Sequence, residues 1–130
     1  MARILVVDDD ALVRATIRLT LERAKHAVIE AGDGRSALAA VAAAGAEPVD
    51  LVVTDVIMPE LDGIGLVTEL RKSYPSLRIV AVSGGGRTGN LDYLRMAKAL
   101  GAHAILPKPF TPEQLVAAVD AALQATPEGD

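Results

Sequence analysis

The sequence contains no cysteine and no tryptophan, and aromatic residues make up only 2% of its 130 residues. The lack of cysteine excludes disulfide bonds, thiolate catalysis and cysteine-based metal sites. Aromatic platforms for stacking bases or sugars are scarce, since only Tyr74, Tyr93 and Phe110 could supply them. Hydrophobic residues nevertheless reach 51%, so the core must be aliphatic and rich in alanine.

Positive charge and long apolar runs are also scarce. The net charge is −4, which argues against binding to a nucleic-acid backbone because such binding depends on lysine and arginine. No apolar run approaches membrane-spanning length. The opening segment Ala2–Val7 is too short for a signal peptide and is followed directly by acids. These features predict a soluble cytoplasmic protein.

Two kinds of pattern alternate along the chain, which predicts a doubly wound α/β fold with right-handed crossovers and helices on both faces of the sheet. The predicted strands are Ile4–Val7, Ala27–Glu30, Leu51–Thr54, Ile79–Val82 and His103–Leu106. The predicted helices contain the apolar sets Val13, Ile17, Leu21 and Ala24; Ala37, Leu38 and Val41, within about residues 35–44; Leu66, Val67 and Leu70; a segment from Asn90 to near Gly101; and Leu115, Val116, Val119 and Leu123.

The last helix has the clearest start signal, because Thr111, Pro112 and Gln114 fit a capping box with proline at the first helical position. Asn90 is a good N-cap and Gly101 a good residue to end the fourth helix. We expect one domain over residues 1–125, with 126–130 as a short C-terminal tail.

Ligands of open α/β sheets bind beyond the carboxyl ends of the strands. The polar residues at those positions are Asp8 and Asp9 after the first strand, Asp55 after the third, Ser83 after the fourth and Lys108 after the fifth. Three carboxylates in one pocket repel each other and call for a cation. Oxygen ligands without histidine or cysteine suit Mg²⁺ or Mn²⁺ better than Zn²⁺.

Phosphoryl transfer needs this same set of groups. It requires an oxygen nucleophile, a divalent ion, and a lysine and a hydroxyl that hold the equatorial oxygens. A carboxylate can serve as the nucleophile and then forms an acyl phosphate. The strand-end residues therefore predict phosphoryl chemistry at this edge.

Three segments carry a resemblance to a known family: Ile4–Asp10, Asp50–Gly63 and Leu106–Phe110. In order and spacing they resemble the receiver domain of two-component response regulators, over essentially the whole chain. The resemblance implies a flavodoxin-like (βα)5 three-layer sandwich with parallel sheet order 2-1-3-4-5. It also implies a stand-alone switch, similar to the chemotaxis regulators, that accepts a phosphoryl group from a sensor histidine kinase or a histidine phosphotransfer protein.

The resemblance assigns a role to each matching residue. Asp55 corresponds to the phosphorylated aspartate. At the expected Mg²⁺ site, Asp9 resembles the direct ligand, Asp8 resembles the acid that acts mostly through a metal-bound water, and the main-chain carbonyl of Ile57 is the third protein ligand beside Asp9 and Asp55. Lys108 is expected to pair with Asp55 at rest. The groups that bind the phosphoryl group and switch are Ser83, Lys108 and Gly84, and the peptide bond before Pro109 is expected to be cis.

Two departures from the family pattern concern the switch and the lifetime of the phosphorylated state. Ile105 stands where many members carry a tyrosine or phenylalanine, and the loop at residues 84–89 is rich in glycine. We expect this loop to carry the signal in place of the aromatic ring. Ile57 and Gly85 offer no side chain that orients an attacking water, so self-hydrolysis should be slow.

Several acids, the glycine-rich loop and the two histidines have simpler structural interpretations. Asp10, Asp33 and Asp62 are most simply helix caps or turn residues. The glycine-rich loop lacks the lysine and hydroxyl of a nucleotide-binding P-loop. His103, at the start of its strand, lies at the wrong edge for phosphotransfer, and nothing in its context supports that role for His26.

Three other functions remain alternatives. A phosphatase of the haloacid-dehalogenase kind would require a second acid at position 57, which is Ile57 here, and a lid domain. In a flavodoxin-like nucleotide binder, the carboxylates after the first strand would repel a phosphate. A constitutive interaction module would not need the intact acid, hydroxyl and lysine set. We expect a signalling switch and not an enzyme, docking through the fourth helix, fifth strand and fifth helix, with Tyr93 and Arg95 as candidate contacts.

Overall fold

The computed structural model describes residues 2–56, 63–83 and 90–124. Within these ranges five strands alternate with five helices, and none of the helices is long and apolar enough to cross a bilayer. The elements are β1 (Arg3–Val7), α1 (Ala11–Arg23), β2 (Ala27–Ala31), α2 (Gly34–Ala43), β3 (Leu51–Asp55), α3 (Gly63–Ser73), β4 (Arg78–Ser83), α4 (Asn90–Ala99), β5 (Ala104–Pro107) and α5 (Pro112–Gln124).

The strands form one parallel sheet in the order β2-β1-β3-β4-β5, which confirms the predicted doubly wound fold. The predicted strand bounds are correct to within one residue. For β5 the prediction was shifted: the strand begins at Ala104, and His103 lies just before it. The predicted tail at 126–130 lies outside the described residues, so the domain boundary stays a prediction.

Alternate residues of the central strands point to opposite faces of the sheet, and each face has its own aliphatic core. Leu5, Val52 and Ile79 pack with buried residues of α2, α3 and α4. On the other face, Val6 and Val53 pack with buried residues of α1 and α5. The fully buried hydrophobic side chains among the described residues are all aliphatic, as the scarcity of aromatic residues predicts.

The helix ends follow the predicted chemistry. The Thr111 amide donates to Gln114 Oε1 at 2.8 Å, and the Gln114 amide donates to Thr111 Oγ1 at 3.0 Å, so the capping box of α5 is complete. Asp10 and Asp33 are the N-caps of α1 and α2. Asp62 lies outside the described residues.

The end of α4 is a Schellman motif. The Ala102 amide donates to the Ala97 carbonyl at 2.9 Å, and the Gly101 amide donates to the Lys98 carbonyl at 3.2 Å. Gly101 has a φ of 123°, which L side chains rarely adopt, and a Cβ there would lie 2.7 Å from the Arg71 side chain. Glycine is therefore required at this position for both its backbone and its lack of a side chain.

Both histidines lie at the edge of the sheet where the strands begin. His26 precedes β2, and its Nδ1 accepts a hydrogen bond from the Ala2 amide at 3.1 Å. His103 precedes β5, and its Nδ1 accepts from the Ile79 amide at 3.1 Å. A protonated imidazole has no lone pair to accept such a bond, so His103 supports the sheet only in the neutral form.

Replacement of His103 by asparagine should flatten the dependence of stability on pH. Burial lowers the pKa of His103, and the nearby charges of Arg71, Arg78 and Lys98 lower it further. The folded-state pKa thus lies below the unfolded value of about 6.5, so the stabilisation is present above about pH 6.5 and is lost as pH falls through the folded pKa.

Thermal unfolding between pH 7.5 and 5 measures this effect. The His103→Asn variant keeps an acceptor that does not titrate, and its unfolding midpoint should fall less than that of the wild type. The hydrogen bond from the Ile79 amide to His103 contributes about 1 kcal/mol to the free energy of unfolding. Parallel curves for the two proteins would contradict the assignment.

Candidate functional site

The strand register brings the predicted site residues to one edge of the sheet. Asp55 is the last residue of β3, Ser83 is the last of β4, and the other site residues directly follow β1 and β5. Ser83 pairs with Pro107 in the register of β4 and β5, and the Lys108 amide donates to the Ser83 carbonyl at 2.8 Å. Neighbouring parallel strands thus end at the same level, with their polar residues side by side.

Asp8, Asp9 and Asp55 form a compact carboxylate cluster. Each offers one oxygen, and these oxygens lie within 4.8 Å of one another. Asp8 is 1% exposed and Asp55 is 6% exposed, whereas Asp9 is exposed to solvent. Two of the three acids are therefore held where a charge without a partner is costly.

Lys108 supplies positive charge to this cluster. Its Nζ donates to Asp8 Oδ2 at 3.0 Å and to Asp55 Oδ2 at 3.3 Å. Burial by itself lowers the pKa of Lys108, but the hydrogen bond to Asp8 and the charges of Asp55 and Asp8 outweigh it, so the pKa lies above its usual value. Lys108 therefore stays protonated across the physiological range.

The contact between Lys108 and Asp8 was not predicted from the sequence. The expected partner was Asp55, yet Asp8 lies closer. β1 and β5 are separated by β3 and β4 in the sheet, so strand adjacency gives no hint of this pair. The long lysine side chain spans the gap.

Ser83 carries a buried hydroxyl group at the end of β4. The residue is 1% exposed, and its Oγ has no hydrogen-bond partner in the part of the chain that the structure describes. A buried hydroxyl without a partner costs free energy that a hydrogen bond to a ligand would recover. Its position at the end of β4 is the one predicted for a group that binds a phosphoryl oxygen.

The turn from Asp8 to Asp10, here called the acid turn, carries two of the three acids. The Asp10 amide donates to Asp8 Oδ1 at 2.9 Å, and Asp10 Oδ1 accepts from the Leu12 amide at 2.9 Å, which caps α1. The Asp8 carbonyl accepts from Arg14 Nη1 at 2.7 Å, and Arg14 Nε in turn donates to Glu30 at 2.9 Å. Sequence reasoning missed Arg14 and Glu30; the only hint is that Arg14 lies one helical turn after Asp10.

The donor set fits a small hard cation. Three carboxylates provide oxygen ligands, with no imidazole or thiolate in the cluster, and this is the chemistry that Mg²⁺ or Mn²⁺ prefers. The carbonyl of Ile57, predicted as the third protein ligand, lies outside the described residues, as do Gly84, Gly85 and the rest of the loop at 84–89.

Two further expectations concern β5 and the turn after it. The Lys108–Pro109 peptide bond is cis, as the family resemblance implies. Ile105 is half-buried and packs against the core cluster under α2, α3 and α4, so an aliphatic side chain occupies the position of the usual aromatic ring. Of the two candidate docking contacts on α4, the side chain of Tyr93 lies outside the described part of the chain and Arg95 is exposed.

A surface cavity of about 600 Å³ lies at the opposite edge of the sheet, where the strands begin. Its lining includes Val49, Tyr74 and Arg78, and it contains none of the clustered acids. The chemistry of the side chains, and not the size of a cavity, therefore identifies the candidate site.

Comparison with known proteins agrees with this geometry. The family model described as "Response regulator receiver domain" matches residues 4–120. The crystal structure of the receiver domain of NtrX from Brucella abortus is similar, with a TM-score of 0.85 and 34% identity over 95% of this chain and 99% of that one.

Curated relatives are longer than this chain. The response regulator MprA of Mycolicibacterium vanbaalenii is 39% identical over 98% of this chain and 53% of its own length. The sensor kinase CckA of Brucella abortus is 37% identical over 95% of this chain but only 13% of its own length. The chain thus spans about half or less of the length of these two relatives. With the family match, the sheet order and the acid cluster taken together, the chain belongs to the response regulator receiver domains, the phospho-accepting signalling modules of two-component systems.

Proposed function

We propose that this chain accepts a phosphoryl group on Asp55 with the help of Mg²⁺, or Mn²⁺, and thereby switches which protein it binds. The observation that carries the proposal is the position of Lys108, whose ammonium group bridges Asp8 and Asp55 beside the third acid of the cluster. A lysine held between two carboxylates at a strand edge is suited to bind a phosphoryl group when one arrives.

In the proposed reaction an Asp55 carboxylate oxygen attacks phosphorus, the bond from phosphorus to the donor breaks, and an acyl phosphate forms. Lys108 and Ser83 hold the equatorial oxygens in the transition state, where the charge is spread over them. Asp8, Asp9, Asp55 and the Ile57 carbonyl would hold the cation, which would neutralise negative charge on the phosphoryl group. The donor is a sensor histidine kinase or a histidine phosphotransfer protein.

Phosphorylation shifts a two-state equilibrium because it adds charge and creates new hydrogen bonds. The buried Ser83 hydroxyl is available to bond the new phosphoryl oxygen. Ile105 has no ring to reorient, so we propose that the loop at 84–89 carries the change to the surface formed by α4, β5 and α5. The partner that binds this surface is a downstream protein of the signalling system.

The proposed switch works in the cytoplasm as a binding module, with residues 1–125 as the receiver domain and 126–130 as a tail. Its own chemistry is limited to self-catalysed phosphorylation and slow hydrolysis, since Ile57 and Gly85 offer no side chain that orients water.

The metal requirement gives a direct test. Incubation of the protein with acetyl phosphate and Mg²⁺ should produce phosphorylated protein, and excess EDTA should reduce the initial rate by at least about 100-fold, since the carboxylates would then repel the incoming phosphate. Addition of Mg²⁺ beyond the chelator should restore the rate. Equal rates with and without the chelator would reject the proposed role of the cation.

A further inference from the structure

The acid turn is fixed by hydrogen bonds to its main chain on both sides. The Asp8 amide donates to the Ala31 carbonyl at 3.3 Å, and the Asp8 carbonyl accepts from Arg14 Nη1 at 2.7 Å. The Arg14 amide also donates to the Asp10 carbonyl at 2.9 Å. Arg14 therefore bonds both ends of the acid turn, with its main-chain amide at the Asp10 carbonyl and its guanidinium at the Asp8 carbonyl.

The peptide group that Arg14 holds is the one that joins Asp8 to Asp9. Its orientation sets the direction in which Asp9 leaves the main chain. Asp8 has its own restraints, because its carboxylate bonds Lys108 and the Asp10 amide. Asp9 is exposed, and no described side chain donates a hydrogen bond to its carboxylate. The placement of Asp9 in the cluster therefore depends on the main chain.

Arg14 is itself held in place by an ion-pair network that leads away from the site. Its Nε lies 2.9 Å from Glu30 Oε1, Glu30 Oε2 lies 2.8 Å from Arg18, and Arg18 lies 3.0 Å from Glu22. The side chains of Arg14 and Glu30 are only 21% and 26% exposed. The planar guanidinium can bond Glu30 and the Asp8 carbonyl at the same time, which an ammonium group does less well.

We propose that Arg14 is a positioning residue for the metal site, which orients the Asp8–Asp9 peptide so that both acids face the cation, and that Glu30 anchors it. This inference rests on the proposed function and adds to it a residue that touches neither the cation nor the phosphoryl group. It links the placement of Asp9 to β2, a strand that contributes no side chain to the carboxylate cluster.

If Arg14 acted only through its positive charge, its replacement would change the Mg²⁺ affinity in the opposite direction. A positive group next to Asp8 repels a divalent cation, so removal of that charge alone would tighten Mg²⁺ binding. Loss of the positioning contact would weaken Mg²⁺ binding. The direction of the change in affinity therefore separates the two accounts.

Titration calorimetry of Mg²⁺ at constant ionic strength tests the proposal, with thermal unfolding midpoints measured in parallel. Arg14→Met should weaken Mg²⁺ binding about tenfold relative to wild type. Arg18→Met is the matched control, because Arg18 lies one turn further along α1 and bonds the same Glu30 but does not touch Asp8. It should bind Mg²⁺ within about twofold of wild type.

Arg14→Lys keeps the charge and is the variant most certain to fold. It should bind Mg²⁺ about threefold more weakly than wild type, between wild type and Arg14→Met. Affinity of Arg14→Lys equal to wild type, or of a folded Arg14→Met equal to or tighter than wild type, would overturn the inference alone. Absence of Mg²⁺ binding by the wild type would overturn the proposed function and this inference together.

Discussion

Lys108→Met is expected to bind Mg²⁺ more tightly than the wild type and yet to be phosphorylated about 100-fold more slowly. In the resting protein the Lys108 ammonium lies 3.0 Å from Asp8 and 3.3 Å from Asp55, so it competes with a cation for the same carboxylates. Its removal should improve Mg²⁺ affinity about fivefold through lost repulsion. The transition state, however, loses a donor to the phosphoryl oxygens, so the rate falls.

Tighter Mg²⁺ binding together with slower phosphorylation distinguishes the proposed role of Lys108 from a merely structural one. Calorimetry gives the Mg²⁺ affinity, and intact-mass measurements over time with acetyl phosphate at saturating Mg²⁺ give the rate. Lys72→Met is the control, since it removes the same charge from an exposed position on α3. The account fails for Lys108 if both quantities fall together with an unchanged fold, or if neither changes.

Asp9→Asn is expected to weaken Mg²⁺ binding about 100-fold, which corresponds to about 2.7 kcal/mol, without a loss of stability. The carboxylate of Asp9 is exposed and belongs to the acid cluster, so it contributes charge to the cation but little to the folded state. The phosphorylation rate at low Mg²⁺ should fall in parallel and should recover in part at high Mg²⁺.

The neighbouring acid provides a close control. Asp10→Asn removes the same charge one residue away, but Asp10 faces α1 as its N-cap, where asparagine is equally favourable. This variant should keep both its stability and most of its Mg²⁺ affinity. If Asp9→Asn and Asp10→Asn weakened binding equally, the effect would be one of general charge, and Asp9 would not be a ligand.

The fold could be predicted from the sequence because its signals are local. Short apolar runs, which alternate along the chain with helical patterns, locate the strands. Capping residues locate the helix ends, as Thr111 and Gln114 do for α5 and Gly101 does for α4. The strand bounds differ by one residue because neighbouring strands, and not the sequence itself, decide where pairing ends. His103 is such a case, since it bonds Ile79 from a position just before β5.

The candidate site was predictable only in part. Strand-end positions brought together Asp8, Asp9, Asp55, Ser83 and Lys108 because parallel strands end at a common edge. Contacts between elements far apart in the chain carry no local signal. The residues of the Lys108–Asp8 pair lie 100 positions apart in the chain. The guanidinium of Arg14 bonds a main-chain carbonyl, a contact that no residue pattern predicts.

Intact mass spectrometry after incubation with acetyl phosphate and Mg²⁺ tests the central claim most directly. The wild type should gain the mass of one phosphate, and Asp55→Asn, which keeps the shape of the side chain but loses the nucleophilic carboxylate, should gain none. A wild type that gains no mass, or an Asp55→Asn variant that gains as much as the wild type, would contradict the assignment of Asp55 as the phosphoryl acceptor.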